Sequence, residues 1–231
     1  LVFYVAPCLS EVLWQDFRIS YLEGDNYRLG DSRRKIYTFE HAAATSWGDS
    51  FLFLDHIRPS EGENSSYAEW APRLSIGKLS GKQLAFSIIK DVSLAATLEM
   101  SNSANHKLYG VGLDLHIPGF RYFQVNGYRR NNDGKKDNWQ TTVTWGRPFM
   151  IGEQQFLYDG FLDWSSTSAD QSASLNITSQ LKWLLSPVLG IKSKIYVGTE
   201  YVYWRNKFGL PDLVSRPTNE SNFNILVKWH Y

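Results

Sequence analysis

The sequence predicts an all-β chain, a transmembrane antiparallel up-and-down β-barrel of about 12 strands. Three observations predict it. Apolar and polar residues alternate with period two through most of the 231 residues, and no stretch carries helical periodicity over three turns. The connections alternate between tight turns and longer polar loops. The last segment is apolar at every second position from Phe223 and ends on an aromatic ring, Tyr231. Composition agrees. Aromatic residues make up 15% of the chain, with 9 Trp, 13 Tyr and 13 Phe, enough for two interfacial girdles. Mean hydropathy is negative, and no run approaches the ~18 apolar residues of a helical span.

The segments follow in order. The first, 14–22, carries Asp16 and Arg18 on one face. The second, 35–46, sets Tyr37 and Phe39 against Thr38 and Glu40. The third, 49–57, is apolar on both faces through Phe51-Leu52-Phe53-Leu54; alternation puts Phe51, Phe53 and Asp55 inside, and a one-residue slip would reverse that. The fourth, 67–79, places Tyr67, Glu69 and Arg73 inside and contains Pro72, which a strand interior disfavours. The fifth, 83–101, contributes Glu99. The sixth, 106–117, alternates Tyr109, Val111, Leu113, Leu115 and Ile117 with Gly110, Gly112, Asp114 and His116. The seventh, 120–130, turns Tyr122, Gln124, Asn126 and Tyr128 inward. The eighth, 137–147, carries Trp139 and Trp145, and the ninth, 154–165, places Asp159, Phe161 and Asp163 inside.

The last three segments alternate most plainly. In 174–186, Leu175, Ile177, Leu181, Trp183 and Leu185 oppose Asn176, Thr178, Gln180 and Lys182. In 192–206, Ile195, Val197, Thr199, Tyr201 and Tyr203 oppose Lys194, Tyr196, Gly198, Glu200 and Trp204. In 220–231, Phe223, Ile225, Val227, Trp229 and Tyr231 oppose Asn222, Asn224, Lys228 and His230, with Leu226 the exception.

Gly48-Asp49, Ser80-Gly81, Pro118-Gly119, Gly152 and Pro187 to Gly190 read as tight turns. Longer polar loops lie around 23–34, 58–66, 101–105, 130–137, 165–174 and 207–219. Short turns on one side and long loops on the other are the pattern of outer-membrane barrels, whereas a soluble sandwich mixes them freely. Residues 11–231 read as one barrel domain. Leu1 to Ser10 reads as the remnant of a secretory signal, with small residues at Cys8 and Ser10. A lone cysteine, Cys8, excludes an internal disulfide, and 24 Lys+Arg against 23 Asp+Glu leaves no basic field for nucleic acid.

The expected lumen mixes charged and hydrogen-bonding groups with Phe, Tyr and Trp. An ion pair of Glu69 with Arg73 is expected there, as are Glu–Lys pairs across neighbouring strands. Flat heterocycles stack on such rings while acids and amides bond their polar edges. Acids outnumber bases, which disfavours nucleotides as cargo. The expected site residues are Phe51, Phe53, Asp55, Glu69, Arg73, Asp159, Phe161 and Asp163, two rows facing each other across a narrow channel.

Ala71-Pro72-Arg73-Leu74-Ser75-Ile76-Gly77-Lys78-Leu79 resembles the Pro-Arg-Phe-Ser-Ile-x-Lys-Leu stretch of the Tsx-type nucleoside-specific outer-membrane channels. Gly160-Phe161-Leu162-Asp163-Trp164 resembles their Gly-Phe-x-Asn/Asp-aromatic stretch. Glu40, Trp47-Gly48-Asp49, Phe51 and Asp55 resemble their second hairpin. The resemblance implies a twelve-stranded monomeric barrel in the bacterial outer membrane, taking nucleosides and deoxynucleosides. It also implies outer loops open to phages and bacteriocins. The chain departs from the family at Arg28-Leu29-Gly30, where relatives carry Arg-Phe-Gly. The terminal strand ending at Tyr231 fits the signal read by the barrel-insertion machinery.

The alternative is a non-transporting structural, adhesion or surface-receptor barrel with a packed lumen. Enzyme chemistry finds no support: no His has a Ser two residues on, and no GxSxG, GxGxxG or Walker-type loop occurs. Asp114 with His116 reads as structural, and no cofactor or metal is expected.

Overall fold

The structure is a computed structural model that describes residues 11–231; the signal-remnant reading of Leu1–Ser10 lies outside them. Twelve antiparallel strands close on themselves, each pairing with its sequence neighbours and β1 pairing with β12. They are β1 (Val12–Gly24), β2 (Arg34–Thr45), β3 (Gly48–Pro59), β4 (Ser65–Ser75), β5 (Ile89–Ser101) and β6 (Asn105–Leu115). Then come β7 (Tyr122–Asn131), β8 (Asn138–Ile151), β9 (Gln154–Ser165), β10 (Ser174–Leu184), β11 (Lys194–Arg205) and β12 (Glu220–His230). Among the described strands, each has a neighbour on both sides, so none is left at the edge of an open sheet.

The period-two pattern sorts the faces as the sequence demands. On β12 the outward Phe223, Ile225 and Val227 are exposed, while Asn222, Asn224 and Lys228 are buried inside. Leu226, the one break in the alternation, is 2% exposed. It stands in register with Leu22 and Gly198 on the two flanking strands, so it fills the lumen wall rather than facing lipid. The ambiguous third segment is settled by pairing. Leu52 and Leu54 are exposed outward, and Asp55 turns inward to accept a hydrogen bond from Thr38 Oγ1 at 2.6 Å.

Aromatic rings gather at both ends of the outer surface. Trp14, Phe17, Trp229 and Tyr231 lie toward the end that carries the two-residue turns 46–47 and 152–153. Tyr37, Trp139, Trp164, Tyr201 and Phe223 lie toward the other end. These are the expected girdles, with aliphatic side chains between them.

The connections differ from expectation. Ser80-Gly81 is not a tight hairpin. The fourth segment stops at Ser75, whose side chain caps a helical turn, α1 (Ile76–Ser80), by accepting from Lys78 N at 3.0 Å; Gly81 ends it at φ 65. The fifth strand starts only at Ile89, so 13 residues, 76–88, join β4 to β5. A second turn, α2 (Ser186–Leu189), lies between β10 and β11 and ends at Gly190. The expected loop at 101–105 shrinks to residues 102–104. Pro72 is tolerated because the β4–β5 register passes from Trp70↔Leu98 to Arg73↔Ala95 without a pair at Ala71 or Pro72, where the N–H is missing.

If Ile225 faces the bilayer midplane, Ile225→Arg lowers stability by about 2–4 kcal/mol. Asn224→Gln on the same strand leaves the lipid face untouched and avoids that cost. Reversible unfolding in lipid vesicles checks the difference.

Candidate functional site

The inward rows meet as polar networks, because charges facing a narrow lumen must find partners or water. One network climbs the wall formed by β9 to β12. Lys182 Nζ donates to Asp159 Oδ2 at 2.7 Å and to Gln180 Oε1 at 3.0 Å. Gln180 Nε2 donates to Glu200 Oε2, and Asn224 Nδ2 to Glu200 Oε1. Across β1, Lys228 Nζ reaches Glu40 Oε2 on β2 at 2.7 Å; Ser20, the small β1 residue in register with Lys228, leaves room for that crossing. Asp16 accepts from both Arg18 Nε (2.6 Å) and His230 Nδ1 (2.9 Å).

The expected site divides between β3–β4 and β9. Phe51, Phe53 and Tyr67 form a run of rings with centroids 6.1 and 5.8 Å apart. Tyr67 donates its hydroxyl to Glu69 Oε1 at 2.5 Å. Glu69 interacts electrostatically with both Glu99 and Asp163, so β4, β5 and β9 bring three carboxylates together. Phe161 stands in register between Thr144 and Thr178. Asp163 accepts from Thr142 at 2.5 Å and from Gln140 at 3.3 Å.

Two site residues stand apart. Asp159 belongs to the Lys182 network. Arg73 does not pair with Glu69, because four residues along a strand carry the two side chains about 13 Å apart. It donates instead to Asp114 Oδ2 at 2.6 Å and to Ser93, with Asp49 at 3.7 Å. Gly112 makes room for it: a Cβ there would overlap Asn126 and crowd the Arg73 guanidinium. Asp114 also accepts from Gln124. It is therefore no partner for His116, which is exposed beyond the end of β6. Among the described residues no group of three His, Cys, Asp or Glu could hold a metal.

Sequence reasoning missed Arg130. Its guanidinium clasps Glu99 through two bonds, one of them Nη2 to Oε2 at 2.6 Å, and donates to Gln140 at 2.7 Å. Carrying the alternation of Tyr122, Gln124, Asn126 and Tyr128 one step further finds it. It also missed Lys207, in the loop 206–219, which carries no periodicity. Lys207 Nζ donates to Glu220 Oε2 at 2.6 Å beneath the rings of Tyr27, Trp204 and Phe208. The same carboxylate oxygen accepts from Arg28 N, Tyr27 bonds Asn224, and Asn26 N bonds Asn222. Loops 25–33 and 206–219 are thus tied into the lumen on the inward row of β12.

A profile for the family described as “Nucleoside-specific channel-forming protein, Tsx” matches residues 12–231. The chain belongs to the Tsx family. Outer membrane protein OmpK of Vibrio parahaemolyticus is 27% identical over 129 residues, 53% of this chain and 49% of OmpK. OmpK of strain RIMD 2210633, serotype O3:K6, is 30% identical over 115 residues, 45% of this chain and 43% of that protein. These alignments span about half the length of the curated relatives. Among solved structures, the KdgM porin aligns with a TM-score of 0.54 at 8% identity, covering 93% of this chain and 98% of KdgM. The NanC porin aligns at 0.52 and 12% identity, covering 94% and 99%. At such identities these two speak for the fold. With the family and the barrel together, this Tsx-family chain is an outer-membrane β-barrel.

Two outcomes test the networks. Arg130→Gln leaves Glu99 buried without its cation and destabilises the barrel by about 3–5 kcal/mol, read by denaturant titration. Of the loop acids, Asp212 is held below the ordinary 3.8 by the backbone amides of Thr218 and Asn219, and Asp31 by those of Glu61 and Arg33. A depressed carboxyl pKa stabilises the folded loop above 3.8, and that contribution is lost as pH falls through the folded value. Protease cleavage within 206–219 therefore rises between pH 5 and pH 2, using an acid-active protease, and Asp212→Asn flattens that rise.

Proposed function

We propose that this protein is a substrate-selective channel for passive uptake of nucleosides and deoxynucleosides. The observation that carries the reading is the run of Phe51, Phe53 and Tyr67 beside the carboxylates of Asp55 and Glu69, with Phe161 and Asp163 on β9. A base stacks on such rings for about 1–3 kcal/mol. Hydroxyls of the ribose donate to carboxylates that no cation claims. A channel must also release its cargo, so weak successive sites serve better than one tight site. Millimolar-scale affinity, near −4 kcal/mol, suits that stepping. Membership of a family described as nucleoside-specific supports the same substrate class. Arg73 and Asp159, each engaged by opposite charge, serve as fixed walls of the passage rather than as primary contacts.

Lipid surrounds the outer face, and the strand ending at Tyr231 is what the insertion machinery reads. The loops offer footholds to phages or bacteriocins, and the closed sheet suits a monomer. A second reading, a surface or structural barrel with a packed lumen, draws on the occlusion of Lys182 and Lys228, 1% and 3% exposed.

Single-channel recording separates the two. Ion conductance that adenosine or thymidine blocks and glucose does not is the expected result; a silent barrel favours the packed lumen. Phe53→Ala and Phe161→Ala are each expected to lower adenosine uptake at low concentration about tenfold, with small-ion conductance unchanged. Unchanged uptake in folded variants removes these rings from the site.

A further inference from the structure

The outer wall carries a charged recess that the passage does not use. Glu23 on β1 stands opposite Lys35 on β2, and Lys35 stands opposite Arg58 on β3. All three side chains point away from the lumen, since Leu22, Thr38 and Asp55 take the inward positions around them. Arg33, from loop 25–33, adds a third cation. Together with Tyr37 and Ser60 these residues line a recess of about 440 Å³.

Height matters here. Two residues along the strands, about 7 Å nearer the barrel centre, Tyr21 and Tyr37 pack with centroids 5.5 Å apart. Beneath them Ile19, Phe39 and Leu54 form an exposed apolar row in register. Rings of this kind mark the membrane–water boundary, so the cations above them lie at headgroup level. In barrels of this class the end with longer loops faces outward. The recess therefore opens into the outer leaflet.

Lys35, Arg58 and Arg33 share one carboxylate, Glu23, which interacts electrostatically with Lys35 and Arg33. Like charges directly opposite on neighbouring strands repel, as Lys35 and Arg58 do. Glu23 is the single carboxylate lining the recess. Its Oε1 lies 3.6 Å from Arg33, and its Oε2 accepts the Tyr21 hydroxyl. Asp31 turns its carboxylate to the amides of Arg33 and Glu61. Among the described residues, neither Lys35 nor Arg58 has a carboxylate within ion-pair distance. Arg34 anchors the back of the recess by donating to the carbonyls of Arg28, Leu29 and Asp31, which fixes the loop that presents Arg33.

We propose that this recess binds the phosphate group of an anionic outer-leaflet lipid. Lys35, Arg58 and Arg33 face the phosphate, and the acyl chains lie on Ile19, Phe39 and Leu54 below. A bound phosphate turns the Lys35–Arg58 repulsion into two charge-assisted contacts.

The test uses the full-length barrel in detergent, titrated with bisphosphorylated lipid A and followed by native mass spectrometry. Parallel titrations use the same lipid stripped of its phosphates. The double variant Lys35→Gln/Arg58→Gln is expected to bind lipid A about tenfold more weakly. The phosphate-free lipid is expected to bind parent and variant alike, at the weak level. Arg129→Gln, a rim cation already paired with Asp137, is expected to change nothing. Excess inorganic phosphate is expected to leave the lipid bound. Equal affinity of parent and double variant overturns the proposal, as does equal affinity for lipid with and without phosphate. Displacement by inorganic phosphate also overturns it, in favour of a free-anion site. Should the double variant lose heat-modifiable migration, Lys35→Gln and Arg58→Gln are measured singly. A loss of about threefold in each supports the site, and no loss in either removes it.

Discussion

Closure is the constraint on which everything else depends. In hydrocarbon no water bonds an unpaired strand edge, so a sheet crosses a membrane only when its first and last strands meet. Here β1 and β12 meet in register from Arg18↔His230 to Glu23↔Ile225. Once the ring is shut, every inward side chain shares one narrow space with those of eleven other strands. Charges that would be harmless on an open surface must then be matched across the lumen. Glu40 draws Lys228 from two strands away, and Asp114 draws Arg73 from β4 to β6.

Matching is uneven around the ring, and the unevenness is informative. Asp159 on β9 and Glu200 on β11 each have a base or an amide, through Lys182, Gln180 and Asn224. Near β4, β5 and β9 three carboxylates share one guanidinium, Arg130, which is committed to Glu99. A structure built only for stability would replace Glu69, since a buried carboxylate without a cation of its own costs free energy that an apolar side chain would not. Glu69 is left with the Tyr67 hydroxyl and Asp163 with Thr142 and Gln140, beside the run of Phe51, Phe53 and Tyr67.

The strand pattern and the facing of β6 and β12 were legible in the sequence because period-two alternation is a local property, whereas β3, apolar on both faces, was settled only by pairing. Even Leu226, which breaks the pattern, is explained only by neighbours that closure supplies. The connections were less legible. Ser80-Gly81 looks like a hairpin, yet Ser75 caps a helical turn, a choice made by one side-chain bond to Lys78 N. The site was half legible. Alternation places Phe53, Glu69 and Asp163 on the lumen face, but which acid meets which base depends on register and curvature between distant strands. Glu69 and Arg73 are a different case: they share β4, and the strand rise alone, about 13 Å over four residues, keeps them apart. Lys207 had no local signal, since its role arises from a loop folding back onto β12.

β12 shows how far a single strand can couple these demands. Its outward face meets lipid with Phe223, Ile225, Val227 and Trp229. Its inward face anchors both tied loops through Glu220, Asn222 and Asn224, and pairs Lys228 across β1. A slip of one residue would exchange the faces, putting four polar side chains into hydrocarbon and four apolar ones into the networks. The loop ties and the lipid contacts therefore select the same register independently. The strand that completes the ring is held in its register from both faces.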